Sequence, residues 1–303
     1  MRIIDFHTHT FPDKIAEAAL ESLQNSSESR AHTDGTIDGL RESMEIAGIE
    51  QSIVLPVVTN PDKAFSMNSY AAKVNESFEE TGVFSIGGIH PETPNIKNVL
   101  KDIKNMGLKG VKLHPDYYGV MFNDMKMKRI IDIASELGLF VITHAGMDIG
   151  LYPPICCALD SILDVMDDVK PETLVLAHMG GWMNWEEVSE VLAPKFKEYN
   201  KKYDDAGEKG KGIFLDTAFS IGEIDWLVAD MHRDYHQMSD EQFIKMVSAF
   251  GADRILFATD SPWADQKDYV DRIKSMILGS FEDGEEMLEQ IYYKNAERVL
   301  SKR

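Results

Sequence analysis

Short β-rich runs alternate with amphipathic helical segments along almost the whole chain, and this alternation constrains the fold more than any other feature. Several runs are continuously apolar, which is typical of parallel strands covered on both faces. Eight runs can be marked, at residues 3–6, 52–57, 83–89, 110–113, 140–143, 174–177, 213–216 and 254–258. Their number predicts an α/β fold, a (β/α)₈ TIM barrel formed by one domain over residues 1–303. An open doubly wound sheet is the alternative, although it usually has fewer strands and a glycine-rich loop after the first.

The helices between these strands are marked by residues that begin or end them. Thr36 precedes a helix predicted over residues 37–47 that ends at Gly48, and Ser239 has capping-box spacing to Gln242. Further helices are predicted over residues 68–82, 94–106, 124–137, 155–168, 184–192, 239–250, 268–278 and 285–300. The last of them is expected to pack on the outside of the barrel as a closing helix.

Three stretches exceed the usual connections of a barrel. They cover residues 24–35, 198–212 and 219–238. The first and third lie in strand-to-helix connections, on the face where barrel active sites form, so they are either active-site lids or solvated loops. The second follows a helix and is expected on the opposite face. His32, His232 and His236 lie in the first and third stretches and are interpreted as surface residues.

The first predicted strand ends in two histidines separated by one residue. Side chains of a strand alternate between its faces, so His7 and His9 point the same way and can reach one point. A divalent metal is the simplest occupant of a point shared by two neutral imidazoles. Taken alone the pair is a weak signal, because a solvated turn can have the same spacing.

Four other predicted strands also end in metal-competent or ionisable side chains. These are Lys112 and His114 after strand four, His144 after strand five, His178 after strand six and Asp260 after strand eight. Since the carboxyl ends of barrel strands meet at one mouth, we expect these residues to line one pocket. A single histidine after a strand is more often a hydrogen-bonded core residue, but the repeated placement favours a functional site.

The same strand ends carry motifs that resemble the amidohydrolase superfamily of metal-dependent barrel enzymes. The resemblance is closest to its amidohydrolase-related branch, which includes aminocarboxymuconate-semialdehyde decarboxylase-like proteins. The matching segments are DFHTH at residues 5–9, GVKLHP at 110–115, ITHAG at 142–146, LAHMGG at 176–181, FATDSPW at 257–263 and NAERVL at 295–300. They follow the order of the family over nearly the whole chain, whereas the long insertions match less clearly.

This resemblance implies a ligand set and two catalytic roles. Carried over by motif, His7, His9, His144 and Asp260 bind a divalent metal, and His178 stands beside it as acid/base or electrophile. Three imidazoles and a carboxylate suit Zn²⁺ and a bound water that Asp260 can deprotonate, although nickel, manganese and iron tolerate the same ligands. One ion is favoured. In some relatives a strand-four lysine is carbamylated and bridges two metals, so a second ion remains open.

Residues beside the implied ligands are candidates for substrate binding. Lys112 is either a cation for a substrate carboxylate or a partner in a structural salt bridge, and His114 has the same parity on its strand. Trp182 and Trp263 either wall a pocket for a planar or apolar substrate or plug the space between barrel and helices. His90 is interpreted as a hydrogen-bonded loop residue.

The ligand set is compatible with two reactions of a small-molecule substrate. The first is hydrolysis of an amide, ester or lactone by a metal-activated water; the alternative is non-oxidative decarboxylation of an aromatic or enol-like acid. A decarboxylase must hold a carboxylate, for which arginine is the usual partner, and the strand-end motifs contain Lys112 but no arginine. This favours hydrolysis. A TatD-type nuclease typically has glutamate at the position of Lys112, and a metal-binding barrel without turnover is the least favoured interpretation.

Charge and cysteine content narrow the choice of partners and compartment. The formal net charge is −20, from 51 acidic and 31 basic residues, which disfavours nucleic acid as a partner. No stretch approaches the roughly 18 consecutive apolar residues of a membrane span, and a strand that begins at Arg2 leaves no room for a signal peptide, so a cytoplasmic protein is expected. The adjacent Cys156 and Cys157 are interpreted as reduced residues in a helix. A homo-oligomer remains open.

Overall fold

Each predicted strand position is occupied by a strand in the computed structural model, which describes residues 1–151, 153–228 and 234–301. The strands are β1 (Ile4–Thr8), β2 (Gln51–Val54), β3 (Val83–Ser85), β4 (Gly87–Gly88), β5 (Gly110–Leu113), β6 (Phe140–Thr143), β7 (Thr173–Leu176), β8 (Gly212–Asp216) and β9 (Ile255–Leu256). The short strands β3 and β4 are two parts of the single run predicted over residues 83–89 and are separated only by Ile86.

Parallel pairing joins these strands into a closed barrel. One hydrogen-bonded run contains β1, β2 and β3, and a second contains β4 to β9 in chain order. Backbone hydrogen bonds close the seam between the last and first strands, from Phe6 N to Phe257 O (2.9 Å) and from Asp260 N to His7 O (2.8 Å). The predicted (β/α)₈ barrel is therefore confirmed.

Helices connect the strands and cover the outside of the barrel. They are α1 (Asp13–Ser27), α2 (Ile37–Ala47), α3 (Ala64–Glu76), α4 (Phe78–Thr81), α5 (Ile96–Asn105), α6 (Pro115–Tyr118), α7 (Met125–Glu136), α8 (Leu159–Asp168), α9 (Trp185–Glu187), α10 (Ala193–Asp205), α11 (Asp240–Phe250), α12 (Gln266–Ser280), α13 (Gly284–Glu289) and α14 (Asn295–Leu300). Short π-helical turns, Val188–Leu192 and Gln290–Lys294, join α9 to α10 and α13 to α14. Single 3₁₀ turns occur at Pro61–Lys63, His178–Gly180 and Ala252–Arg254.

The capping residues identified in the sequence act as predicted. The Thr36 hydroxyl accepts a hydrogen bond from Gly39 N at the start of α2 (3.0 Å), and the helix ends at Gly48 in the left-handed region, with φ 71°. At the start of α11, Gln242 N donates to the Ser239 hydroxyl and Ser239 N donates to the Gln242 side chain, which forms the predicted capping box.

Helices occupy parts of two of the predicted insertions, which corrects the prediction for these stretches. α1 was not predicted, and its last turn occupies the beginning of the stretch expected to be irregular over residues 24–35. α10 continues to Asp205, so the first half of the 198–212 stretch is helical. The reason is local packing: Asn200 is buried and its side chain bonds both Ile213 N and Ile213 O, which ties the polar end of this helix to β8.

The chain around the two cysteines also differs from the prediction. The helix expected from residue 155 begins at Leu159, so Cys156 and Cys157 lie in the connection before α8. Both thiols are free and buried. Cys157 contributes to the apolar layer between the barrel and its helices.

The core has two layers, one inside the barrel and one between the barrel and the helices. Phe6, Phe140 and Phe214 belong to the inner layer, together with Ala296 and Val299 of α14. α14 therefore closes the bottom of the barrel rather than packing on its outside as expected. The Arg2–Glu297 ion pair and the hydrogen bond from Lys109 Nζ to Leu300 O place this helix at the amino ends of the strands, opposite the predicted site.

The first and third predicted insertions lie together at the carboxyl ends of the strands. Ser29 and Trp226 form an antiparallel bridge between them, and Arg30 N donates to Asp225 O (2.7 Å). His32 and His236 are exposed as predicted, whereas His232 lies outside the described residues. Among the described helices, none is long and apolar enough to cross a bilayer.

Candidate functional site

The carboxyl ends of the strands surround a cavity of about 560 Å³ that contains every residue predicted for the site. The predicted metal ligands, catalytic residues and substrate-binding residues that line it are His7, His9, His144, Asp260, His178, Lys112, His114, Trp182 and Trp263. Side chains from β1, β5, β6, β7 and β9 thus meet although they are distant in sequence, because parallel strands of a barrel end at one mouth.

Three of the four predicted ligands form one compact group. The Nε2 atoms of His7 and His9 are 3.2 Å apart, and Asp260 Oδ1 lies 3.3 Å from the first and 3.1 Å from the second. A group in which each residue offers one ligand atom and all atoms lie within 4.8 Å of one another has the dimensions of a metal site.

The hydrogen bonds of the two rings show which nitrogen of each faces this group as a lone pair. His7 Nδ1 donates to Asp216 Oδ2 (2.9 Å), and His9 Nδ1 donates to Leu55 O (2.8 Å). In the neutral tautomers that these bonds select, both Nε2 atoms carry lone pairs, and Asp260 Oδ1 is buried and accepts no hydrogen bond from the described residues. Three lone-pair donors directed at one point repel each other unless a cation lies there, so the donor set fits a divalent ion.

His144, the fourth predicted ligand, does not belong to this compact group and contacts His178 instead. Its Nδ1 is 2.9 Å from His178 Nε2, while its Nε2 donates to Met147 O (3.1 Å). The centroid of the His178 ring lies 5.5 Å from that of the His7 ring and 4.6 Å from that of the His144 ring. Since His178 Nδ1 donates to Ala218 O (2.8 Å), the facing nitrogens of His144 and His178 both present lone pairs and need a shared proton or a cation.

A second group of metal-competent residues lies beside the first. It contains His114, His144 and Asp148, and the rings of its two histidines are stacked at 4.3 Å. His114 Nε2 lies 3.3 Å from Asp148 Oδ2, so this pair has the geometry of a histidine held by a carboxylate. Asp148 was not predicted from the sequence, because it follows His144 by four residues in a connection without a recognisable motif.

Burial controls the protonation of these groups. It holds the pKa of His7, His114 and His144 well below the ordinary range, and the positive charge of Lys112 lowers the pKa of His7 and His114 further. The pKa of His178 is lowered by burial and raised by Asp260. Neutral imidazoles are the form that binds a metal.

Lys112 places an amine at the edge of the compact group. Its Nζ lies 3.2 Å from His7 Nε2, and the side chain is almost fully buried. Burial lowers the pKa of Lys112 to about 8, although the carboxylates of Asp260 and Asp216 raise it. Apart from Lys63, no other lysine or arginine of the described residues lines the cavity.

Two of the site residues have a strained backbone. His178 and Asp260 adopt positive φ angles of 57° and 70°, which non-glycine residues rarely do. Hydrogen bonds hold both conformations: His178 N donates to Asp216 Oδ1 (2.9 Å), and Asp260 N donates to His7 O. Strain of this kind is concentrated at functional sites.

Asp216, at the end of β8, is a functional residue that the sequence analysis missed. Its carboxylate holds His7 through Oδ2, and its Oδ1 accepts hydrogen bonds from His178 N and from Ala218 N (3.1 Å). Burial raises the pKa of Asp216 to about 7, and Lys112 lowers it. The available signal was the position of Asp216 at the end of the seventh predicted strand, where other strands carry site residues.

The aromatic candidates have different surroundings. Trp182 is buried and donates its Nε1 hydrogen to Gln237 Oε1 (3.0 Å), whereas Trp263 is partly exposed at the cavity. His90 does not line the cavity; its Nδ1 accepts a hydrogen bond from Glu92 N (3.0 Å), and its ring packs on Tyr118. The interpretation of His90 as a hydrogen-bonded loop residue agrees with this geometry.

Comparison with known proteins supports the resemblance at two levels. The sequence profile of a family described as Amidohydrolase matches residues 238–302, which include β9, the 257–263 motif and α14. This match confirms the resemblance to the amidohydrolase superfamily. No curated protein matches the chain at the level of sequence.

Solved structures share the fold over nearly the whole chain. An uncharacterized TIM-barrel protein from Bordetella bronchiseptica is 20% identical with a TM-score of 0.66, and the match covers 99% of both chains. A 2,6-dihydroxybenzoate decarboxylase from Rhizobium is 14% identical with a TM-score of 0.66, again over 99% of both chains. A 5-carboxyvanillate decarboxylase from Novosphingobium aromaticivorans, complexed with manganese and 4-hydroxy-3-methoxy-5-nitrobenzoic acid, is 12% identical with a TM-score of 0.65, over 99% of this chain and 96% of the other.

Proposed function

We propose that this protein is a metal-dependent decarboxylase that removes CO₂ without oxidation from an aromatic or enol-like carboxylic acid. The observation that carries the proposal is the full-length match to two aromatic-acid decarboxylases, in a chain whose cavity also contains a compact group of metal-competent side chains. The lack of a strand-end arginine favoured hydrolysis in the sequence. Lys112 removes that objection to decarboxylation, because it provides a buried cation for a carboxylate in the same cavity.

We assign the ion to His7, His9 and Asp260, with His144 as the fourth ligand implied by the family motifs. When bound, a divalent ion supplies positive charge that attracts and polarises oxygen atoms of the substrate. Zn²⁺ is the ion that these ligand types prefer, and manganese, present in the Novosphingobium enzyme, tolerates the same set. One ion is proposed.

The remaining residues of the cavity bind the acid and move a proton. The Lys112 ammonium attracts the carboxylate, and the apolar and aromatic wall that includes Trp182 and Trp263 takes the ring. During the reaction the bond between the ring carbon and the carboxyl carbon breaks, its electron pair stays on the ring carbon, and CO₂ leaves. We assign the protonation of this carbon to His178 Nε2, which delivers the proton that it shares with His144 Nδ1, since His178 Nδ1 is fixed as a donor to Ala218 O.

Hydrolysis of an amide, ester or lactone is the second candidate. It is favoured by Asp260 Oδ1, a buried oxygen that accepts no hydrogen bond from the described residues and is therefore available to take a proton from an attacking water. The two reactions use the same cavity and differ in the atoms they release.

The test is a turnover assay that identifies the released atoms. Metal-loaded protein is incubated in D₂O with aromatic acids labelled with ¹³C in the carboxyl group, and in parallel with a panel of esters, amides and lactones. We expect labelled CO₂ and one deuterium at the carbon that lost the carboxylate, with neither product formed by Asp260→Ala. Turnover of esters, amides or lactones without labelled CO₂ from any acid would instead identify the protein as a hydrolase.

A further inference from the structure

The cavity is much larger than a single aromatic ring requires. A cavity of roughly 150 Å³ holds benzene in a protein core, whereas this one measures about 560 Å³. The space occupied by a carboxylate, a metal ion and its water does not account for the difference. Most of the cavity therefore lies beyond the group that would hold the head of the substrate.

The additional space extends from the ligand group towards α1 and the start of α3. The lining residues that are also exposed mark the opening of the cavity, and they are Ile15, Ser26, Thr59, Lys63 and Ser66. All of them belong to α1 or to residues 59–66, so the opening lies between these two segments. The histidines and Asp260 are at the closed end, since they are largely or fully buried.

The wall between the ligand group and the opening is apolar. Leu23 from α1 faces it, Leu55 and Val57 come from the connection after β2, and Met67 and Ala71 come from α3. The Ser26 hydroxyl donates to Gly150 O (2.9 Å), which fixes the end of α1 against the connection after β6. An apolar channel of this kind stabilises an apolar group of the ligand by removing it from water.

We propose that the acid bound by this site carries an extended apolar substituent, an alkyl chain or a second ring, which lies between Leu23 of α1 and Met67 of α3 and points to the opening. This proposal rests on the proposed function, which places the carboxylate at the Lys112 end of the cavity. It distinguishes the substrate from compact acids that carry only hydroxyl or methoxy groups on one ring.

The test measures affinity as a function of the apolar substituent. The probes are 2-hydroxybenzoic acid and its derivatives with a butyl or octyl chain para to the carboxylate, titrated calorimetrically into metal-loaded full-length protein below their micellar concentrations. Complete burial of a methylene group strengthens binding about fourfold. We expect the butyl compound to bind at least about tenfold more tightly than the parent acid, and the octyl compound more tightly again.

Matched variants show where the chain binds. Met67→Trp and Leu23→Trp fill the channel from two different helices and should abolish the gain from the alkyl chain while the parent acid still binds. Phe65→Trp is the control, because Phe65 lies on the same helix as Met67, is 68% exposed and does not line the cavity. Circular dichroism and thermal melting establish that each variant is folded.

The outcomes test the apolar substituent and the decarboxylation independently of each other. Equal affinity for the three acids, or a gain that persists in both channel-filling variants, would overturn the proposal. Release of CO₂ is recorded for the same compounds. Chain-dependent binding without CO₂ from any acid supports the channel and counts against the decarboxylase, whereas CO₂ release without a gain from the chain supports the decarboxylase and removes the channel from substrate recognition.

Discussion

Asp260 and Asp148 are carboxylates of the same cavity that contact different histidines, and this contrast provides a test of the metal ligands. Asp260 lies within 3.3 Å of His7 and His9, whereas Asp148 contacts His114. We expect Asp260→Ala to reduce bound metal to near zero, because a carboxylate and its negative charge are lost from a small ligand set. Asp148→Ala is the control and should retain one equivalent.

Elemental analysis of dialysed protein measures this metal content, and circular dichroism verifies the fold. The same measurement on His144→Ala tests the fourth ligand. Full occupancy in both Asp260→Ala and His144→Ala would show that the ion is held elsewhere.

A variant of His178 tests whether the site is catalytic or only binds a ligand. Asparagine at this position tolerates the positive φ of 57° and keeps an amide that can donate to Ala218 O, but it has no ring nitrogen to carry a proton. We expect His178→Asn to lower kcat by about 10²–10⁴-fold and to leave the metal content unchanged. His90→Asn, which alters a histidine outside the cavity, is the matched control. Unchanged turnover at unchanged metal content would leave His178 with a structural role only.

At the scale of single residues, the sequence predicted the site residues that follow strands and missed Asp216, which holds one of them in place by a hydrogen bond. His7, His9, His144, His178 and Asp260 were predicted because their types and positions are typical of ligands and acid/base groups. Asp216 was missed because its function depends on the hydrogen bond to His7 Nδ1, which is a contact between β1 and β8 that no local pattern encodes. His144 likewise groups with His114 and Asp148 rather than with the compact group, which strand periodicity does not specify.

The contact between β1 and the segment after β9 depends on one buried carboxylate. Asp5 accepts hydrogen bonds from His7 N, Thr259 N, the Thr259 hydroxyl and the Gln266 side chain. Burial raises the pKa of Asp5 to about 6, and these hydrogen bonds lower it. The two oxygens thus serve four donors on both sides of the barrel seam.

We expect Asp5→Asn to destabilise the fold by about 1–3 kcal/mol, because the amide would direct its own hydrogens at two of these donors. Denaturant unfolding measures the change. Asp38→Asn, at a side chain that is 87% exposed, is the control and should stay within about 0.5 kcal/mol of the parent protein. Equal stability of the two variants would mean that the seam does not depend on Asp5.

Some elements with clear terminal signals were predicted to the residue, whereas elements defined by tertiary contacts were not. The bounds of β5, β6 and α2 agree with the prediction, since apolar runs or a Thr36 cap and a Gly48 end define them. α1 escaped prediction because its final turn is rich in serine and asparagine. α10 escaped because its polar end is helical through the contacts of Asn200 with β8, which the sequence does not reveal.

At the scale of the whole molecule, the proposed metal site joins the two ends of the barrel. Three of its ligands, His7, His9 and Asp260, come from the first strand and from the segments after β1 and β9, so a bound ion stabilises the closed barrel relative to the unfolded chain. We expect a chelator to lower the melting temperature by several degrees and Zn²⁺ or Mn²⁺ to restore it. Asp260→Ala should melt at the same temperature with and without the chelator, and an equal response of this variant would place the stabilising ion at another site.

The barrel as a whole was predictable because eight apolar runs recur with helices between them, a regularity that a single misplaced helix boundary does not destroy. One domain over residues 1–303, a cytoplasmic location and the exclusion of nucleic acid stay predictions. The net charge of −20 supports the last of these. A gel-shift assay with DNA and RNA would examine the exclusion of nucleic acid, and limited proteolysis would examine the single domain.

The seam between His7 and Asp260 also determines when the site can form during protein synthesis. A nascent chain emerges from the ribosome with His7 and His9 first, and it contains Asp260 only after almost all of the barrel has been made. Until the last strand docks beside the first, the two histidines lack the carboxylate that completes their group. On the proposed ligand assignment we therefore expect metal capture to be a late event in the biogenesis of this protein, after the last strand has docked beside the first.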